Sequence, residues 1–231
     1  MQKTVPHHIS FIVDGNRRWA KERGLPTLEG HRRGFDVLME IIEECFKEGI
    51  EIVSAYVFST ENWSRSKEEV EYLIELIESM FDKQLEILHE KGVRVCALGS
   101  RTYNVSPKLV KLIEKAEDLT RNNTERTLAL CFNYGGQLEI VDAVKSLLGG
   151  GFGPEDITTE LIAEHLYHPE IPPVDFMVRT SGEQRISNFM LWRMAYAEMY
   201  FPEKKWPEMT REDVPLLIEE FNSRNRRFGG N

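Results

Sequence analysis

Asp14 closes the apolar run Ile9–Val13 and is followed by Gly15, Asn16, Arg17 and Arg18 in the stretch FIVDGNRRWA. A carboxylate in that place fits two roles. It can cap the helix that follows, or it can belong to an anion site. In the second case Gly15 permits close backbone approach, the next amides point at a phosphate, and Arg18 offers a forked pair of donors. A carboxylate beside a phosphate normally needs a cation between them. Mg2+ suits that position, being held by one or two carboxylates while substrate phosphates complete its octahedron. A second basic cluster, VRTSGEQRISN, sets Arg179 and Arg185 around Thr180, Ser181 and Ser187 just past the apolar run Val174–Val178. Two arginines spaced by hydroxyl and glycine residues suit a second phosphate cradle. Two separated anion sites suggest two phosphorylated substrates.

A third polar stretch, FSTENWSRSKEE, follows the run Ile50–Phe58. Ser66 and Glu69 have capping-box spacing. Asn62 is a poor base in water, but its amide can orient a substrate or relay a proton, while Phe58 and Trp63 shape an apolar wall. His31, in EGHRRG, fits either a helix-start hydrogen bond or an anion contact beside Arg32 and Arg33. The patch GGGFGP at 149–154 reads as a flexible loop, with neither a Walker pattern nor a G-x-G-x-x-G after a strand.

The elements that must hold these groups are an alternation of strands and helices. Strands are expected at Ile9–Val13, Ile50–Phe58, Val93–Leu98, Thr127–Phe132 and Val174–Val178, with a weaker one at Ala195–Phe201. Helical spacing joins Phe35, Leu38, Met39, Ile42 and Phe46 before Gly49, and then Val70 through Leu88 before Gly92. A third helix starts with Ser106 as N-cap and Pro107 at its first position, and a fourth runs from about Gln137 to Leu148. The fold class expected is α/β, one domain over 1–231. A central, mostly parallel sheet of about six strands is covered by helices on both faces. Ligands of such sheets bind beyond the carboxyl ends of the strands, so the polar stretches above converge on one edge.

The chain has 231 residues, 41% of them hydrophobic, enough for a substantial core, and a net charge of −9 that argues against broad nucleic-acid binding. Cys45, Cys96 and Cys131 lie in apolar runs without metal-ligand spacing and read as small buried side chains. No stretch resembles a secretion signal or a bilayer span, and a cytoplasmic protein is expected.

The stretches HHISFIVDGNRRWA, GHRRG, YVFSTENWSR, CFNYGGQLEIVDA and VDFMVRTSGEQRISNFMLWRMAYAEMYF resemble the cis-prenyltransferase family, the isoprenyl transferases and undecaprenyl diphosphate synthases, in order over residues 7 to 230. The resemblance implies a Mg2+-dependent transferase that condenses isopentenyl diphosphate repeatedly onto an allylic prenyl diphosphate, often farnesyl diphosphate, making cis double bonds. Asp14 would be the metal-linked carboxylate. Gly15, Asn16, Arg17, Arg18, Trp19 and His31 would surround the allylic diphosphate, and Arg179, Arg185, Ile186 and Ser187 would hold isopentenyl diphosphate. Glu198 matches a second metal-associated carboxylate. Ser59, Thr60, Glu61, Trp63 and Arg65 would position both substrates, with Asn62 as proton acceptor; because an amide is so weak a base, transfer to the departing diphosphate stays open.

The growing chain would enter a hydrophobic tunnel between sheet and helices, flanked by the helix over Glu68 to His89. A homodimer is implied, with Arg227-Phe228-Gly229 reaching a partner's site, and a lipid product implies transient membrane-surface contact. The sequence departs from the family pattern at Thr27, where a basic residue is common, at Arg17, where glycine is common, and at Gln184 and Arg126. These leave product length more open than reaction type: undecaprenyl diphosphate is expected first, and a shorter or other cis-polyprenyl product second. A non-catalytic subunit of the same fold would lack Asp14, Arg18, Arg179 and Arg185, all present here.

Overall fold

Among the described residues, β-branched and aromatic runs form six strands in a single sheet of order β3-β4-β2-β1-β5-β6. The computed structural model describes residues 4–224, so the expectation for Arg227-Phe228-Gly229 lies outside the described residues. The strands are β1 His8–Ile12, β2 Ile52–Ser59, β3 Val93–Leu98, β4 Arg126–Tyr134, β5 Phe176–Arg179 and β6 Glu198–Tyr200. Every pairing is parallel, as the alternation with helices requires. The helices are α1 Asn16–Glu22, α2 Thr27–Lys47, α3 Lys67–Lys83, α4 Leu85–Glu90, α5 Pro107–Thr120, α6 Gly136–Gly149, α7 Thr159–Glu164 and α8 Asp213–Ser223. Among the described residues no helix is long and apolar enough to cross a membrane.

Strands β1 to β5 bury most residues on both faces, which is why they read as continuous apolar runs, whereas the edge strand β6 is only half-buried. Ile9 and Phe11 of β1 and Val53 and Ala55 of β2 face the core shared with α2, α3, α5 and α8. Ile12, Ile52 and Tyr56 face a second core containing Ile171, Val174, Phe189, Met190 and Met194. Ser106 caps α5 as expected, its Oγ accepting the Leu109 N–H at 3.2 Å. The long apolar stripe after Ser66 is not one helix: it divides at Gln84, with α3 ending at Lys83 and α4 starting at Leu85. Arg126 opens β4 and lays its guanidinium over Phe46, 5.9 Å from the ring centre, so its cationic head is met by an aromatic face.

This topology fixes where function can sit. Successive connections leave β1 toward β2 on one side and return to β5 on the other, so the strand order reverses beside β1. Crevices at such switch points, past the carboxyl ends of the strands, are where open α/β sheets bind ligands. Asp14 follows β1 and Thr180 follows β5 at this place.

A polar seam runs through the second core. The His8 ring is fully buried, with Nε2 2.6 Å from Ser54 Oγ and Nδ1 3.0 Å from Pro172 O. Burial pulls its pKa down to about 4, so the ring stays neutral when folded but gains a proton near pH 6.5 when unfolded. The unfolded chain therefore binds more protons between these values, and stability falls as pH drops through that window, by up to about 3 kcal/mol from this residue. In urea melts from pH 7 to pH 4.5, His8→Gln should flatten this slope; an unchanged slope would exclude His8 as its source.

Candidate active site

Asp14 leaves β1 with its backbone fixed from two sides. Its carbonyl accepts from the Thr180 hydroxyl at 2.7 Å and from the Trp206 N–H at 2.9 Å. Trp206 is buried against Phe11, with its indole N–H donated to Gly34 O at 2.8 Å. The carboxylate is then divided between neighbours. Oδ2 accepts from Arg179 Nη2 at 2.8 Å, and Oδ1 accepts from the Gly15 N–H at 2.7 Å with Arg18 Nη2 at 3.4 Å. Asp14 does not cap α1: Gly15 occupies that position without any side-chain cap, in a left-handed conformation at φ 107°. A Cβ on Gly15 would also lie 2.9 Å from Lys205 Cβ, so the turn requires glycine. Burial opposes ionisation of Asp14, but Arg179, then Arg18 and the Gly15 N–H, hold its carboxyl below the usual carboxylate range.

The two arginine clusters, separate in sequence, meet here. Arg179 is buried and donates from Nη1 to Arg185 O at 2.6 Å and Ser187 Oγ at 2.7 Å. Glu183 joins the rest, accepting from Arg18 Nη1 at 2.9 Å and Arg185 Nη1 at 2.5 Å. The loop from β5 is bent by Ser181, Ser187 and Asn188, all with φ between 50° and 79°. Such non-glycine left-handed residues are costly and concentrate where a surrounding structure enforces them. Asn188 helps do so, accepting the Gln137 N–H and donating to Glu61.

Glu69 forms a second polar centre. Its N–H reaches Ser66 Oγ at 3.4 Å, as a cap requires, but its carboxylate turns away from the capping box. Oε1 accepts from His31 Nε2 and Arg65 Nη1, each at 3.0 Å, with Arg17 Nε at 3.9 Å. Burial lowers the His31 pKa from its ordinary value against the pull of Glu69. Glu69, despite its burial, is kept below the usual range by His31, Arg65 and Arg17. The neutral ring therefore donates its Nε2–H to an ionised carboxylate.

After β2 the chain makes a short turn over Thr60–Ser64, closed by Ser59 and Asn62. Asn62 Oδ1 accepts the Ser59 N–H at 3.1 Å. Its amide oxygen is thus engaged, and its NH2 group is left to donate. Trp63 donates to Asn133 Oδ1 at 2.7 Å and packs its ring on Phe58.

One cavity of about 1320 Å³ opens between these groups. Asp14, Gly15, Asn16, Arg17, Arg18 and His31 line it, as do Ser59, Glu61, Asn62, Arg65, Arg179, Arg185 and Ser187. Its apolar side is Phe35 and Leu38 of α2 with Leu73, Leu76, Ile77 and Met80 of α3. Trp19, Thr60, Trp63 and Ile186 do not line it. Trp19 instead lies under the Arg23 guanidinium, and Ile186 packs on the second core. Glu198 is not brought to Asp14 either. It opens β6 opposite Phe176, which pairs with Ile9, five residues before Asp14, a separation of roughly 15 Å along the strand direction. Glu183, Asn188, Trp206 and Tyr56, which lines the cavity and donates its hydroxyl to Tyr134 O at 3.1 Å, carry no local sequence signal, since each acts on a partner far away in the chain.

The donor set at Asp14 suits Mg2+: a single hard carboxylate, 28% exposed toward the cavity, beside guanidinium groups able to take phosphate oxygens. Fold and site together define an open parallel α/β protein whose switch point carries an arginine cluster around Asp14, beside a cavity with one apolar side. The family described as "Putative undecaprenyl diphosphate synthase" matches residues 12–229. An isoprenyl transferase of Thermotoga maritima is 44% identical over 98% of this chain and 97% of its own length. A trans,polycis-polyprenyl diphosphate synthase of Thermobifida fusca, described as (2Z,6E)-farnesyl diphosphate specific, is 42% identical over 99% of this chain and 82% of its own. The crystal structure of lavandulyl diphosphate synthase from Lavandula x intermedia, in complex with dimethylallyl diphosphate, superposes with a TM-score of 0.92 at 31% identity, covering 97% of this chain and 98% of that one. A probable undecaprenyl diphosphate synthase from Campylobacter jejuni gives 0.82 at 30% identity, covering 98% and 99%. The chain belongs to the cis-prenyltransferase family, that of the isoprenyl transferases and undecaprenyl diphosphate synthases.

The buried Glu69 cluster is directly testable. Glu69→Gln keeps the shape but removes the charge that His31, Arg65 and Arg17 share, and should cost about 1–3 kcal/mol in chemical denaturation. A loss below about 0.5 kcal/mol would show that solvent already screens these contacts.

Proposed function

We propose that this protein condenses isopentenyl diphosphate repeatedly onto an allylic diphosphate, with farnesyl diphosphate as primer, forming cis double bonds and a product of undecaprenyl length. The observation that carries this reading is Asp14 held between Arg18 and Arg179 at the mouth of an apolar cavity. A diphosphate needs the first and a prenyl tail the second. The relatives named as polyprenyl and undecaprenyl diphosphate synthases support the same substrates.

In each cycle the allylic carbon–oxygen bond breaks and diphosphate departs. The double-bond electrons of isopentenyl diphosphate form the new carbon–carbon bond, and loss of a neighbouring proton makes the new double bond. Arg18 and the Gly15–Asn16 turn hold the allylic diphosphate, with Arg17 and His31 beside it. Arg179, Arg185 and Ser187 hold isopentenyl diphosphate. Preorganised guanidinium groups favour departure because negative charge grows on the leaving oxygen. Asp14 would hold Mg2+, which supplies further neutralisation of that charge when bound.

Asn62 orients substrate through its NH2 group, since its oxygen is occupied by Ser59, and the proton passes to the departing diphosphate. Phe35, Leu38, Leu73, Ile77 and Met80 receive the lengthening tail, whose path is the hydrophobic tunnel. The protein works as a homodimer in the cytoplasm and meets the membrane surface transiently to release product. A metal role for Glu198 requires that it come from a second copy of the chain.

Purified protein incubated with farnesyl diphosphate, labelled isopentenyl diphosphate and Mg2+ should give a ladder of products ending at eight additions. No incorporation with farnesyl, geranyl or dimethylallyl primers would overturn the reading, and a ladder ending after one or two additions would overturn the chain length alone. Asp14→Ala should cut turnover at least about 100-fold without unfolding the protein. Arg185→Ala is the cleaner probe of the second substrate, because Arg179 also grips Asp14. It should raise KM for isopentenyl diphosphate about tenfold or more and leave that for the allylic substrate nearly unchanged; the reverse ranking would exchange the two assignments.

A further inference from the structure

Away from the cavity, at the β3 edge of the sheet, three potential ligands from two distant parts of the chain converge. Cys96 lies in β3, while His168 and Glu170 belong to the segment between α7 and β5. One ligand atom from each lies within 4.8 Å of the other two. We propose that Cys96, His168 and Glu170 form a second metal site, of the zinc class, distinct from the Mg2+ position at Asp14.

The ligand types select the ion. Thiolate, imidazole and carboxylate together suit Zn2+, whereas Mg2+ takes oxygen ligands. The surroundings have the arrangement that orients metal-bound histidines. His168 Nδ1 is 3.1 Å from Glu170 Oε1, and its other nitrogen, Nε2, is 2.9 Å from Glu117 Oε1. Glu117 is itself fixed, accepting from the Ala97 N–H at 2.9 Å and from Arg101 Nη2 at 2.7 Å. With Nδ1 on the ion, Nε2–H donates to a carboxylate that cannot turn away. Arg94 Nη2 contacts the same Glu170 Oε1 that faces His168 Nδ1.

The backbone is also set for this. His168 has φ 47° although it is not glycine and precedes Pro169, a conformation disfavoured on both counts. Its carbonyl is held by the Ile171 N–H at 2.9 Å and by Arg193 Nη2 at 3.1 Å. Arg193 is buried and ion-paired to the buried Glu139 at 2.7 Å. The strained turn that presents His168 is thus anchored in the core. Cys96 is buried, His168 half-buried and Glu170 exposed, which gives an ion an entry path through the carboxylate. Three protein ligands leave a fourth tetrahedral position for water. A bound ion would tie β3 to the segment covering the second core, and binding to the folded state alone raises the melting temperature.

The test uses the untagged full-length chain, titrated with Co2+ as a spectroscopic substitute and with Zn2+ by equilibrium dialysis in excess Mg2+. One Co2+ per chain should bind with a near-ultraviolet thiolate charge-transfer band, which Zn2+ abolishes by displacement. The band should be absent in Cys96→Ser and His168→Gln and unchanged in Asp14→Ala. Glu117→Gln should weaken Zn2+ roughly 10- to 100-fold, and Zn2+ should raise the melting temperature of the parent chain but not of Cys96→Ser. No thiolate band, or a band that survives in Cys96→Ser or His168→Gln, would overturn the proposal. Should Cys96→Ser fail to fold, the exposed Glu170→Gln decides: Zn2+ affinity equal to the parent's overturns the site, and a loss of tenfold or more supports it.

Discussion

The contact between Asp14 and Arg179 is the constraint on which the rest of the site depends. It spans the switch point of the sheet, joining the residue that leaves β1 to the last residue of β5. Because these strands are neighbours with Ile12 opposite Arg179, the sheet itself sets the spacing of the pair. A buried guanidinium costs least when its donors find acceptors. The two NH2 groups of Arg179 find Asp14, Ser187 and the Arg185 carbonyl, contacts that draw the 179–188 loop over the strand end, while its buried Nε–H has no protein acceptor.

From this contact the electrostatics of the mouth follow. Arg18, Arg179 and Arg185 converge closely enough that their mutual repulsion must be offset. Asp14 and Glu183 do so, each bridging two guanidinium groups. A diphosphate offers the same charge and better acceptor geometry for a guanidinium fork. Glu69 repeats this device a short way along the cavity wall, holding His31, Arg65 and Arg17 around one buried carboxylate. Beyond these rims α2 and α3 present only apolar side chains, and an anionic head and a hydrocarbon tail can be accommodated in one cavity.

Much of this was legible in the sequence because it is local. Parallel strands buried on both faces must read as continuous apolar runs, and Ser106-Pro107 must start a helix. The glycine after Asp14 marks a turn that a side chain would obstruct. What escaped depends on partners remote in the chain. Ser66-x-x-Glu69 has capping-box spacing, but local spacing cannot reveal that His31, Arg65 and Arg17 draw the Glu69 carboxylate elsewhere. Alternating strands and helices place the arginine clusters after β1 and β5 on one edge, but it takes the strand order, with β5 directly beside β1, to join the two cradles into one mouth. Glu198 and Asp14 each adjoin an apolar strand run, yet the register sets them at opposite ends of the sheet. Cys96 read as an inert buried thiol because its neighbours His168 and Glu170 come from a segment more than seventy residues away.

A double-mutant cycle on turnover with Asp14→Asn, Arg179→Gln and both together tests the central contact most directly. If Asp14 and Arg179 act as one unit, the double variant should be hardly slower than the worse single variant, a coupling of about 1–3 kcal/mol. Losses that simply add, with coupling near zero, would contradict the account and return the two arginine clusters to independent sites.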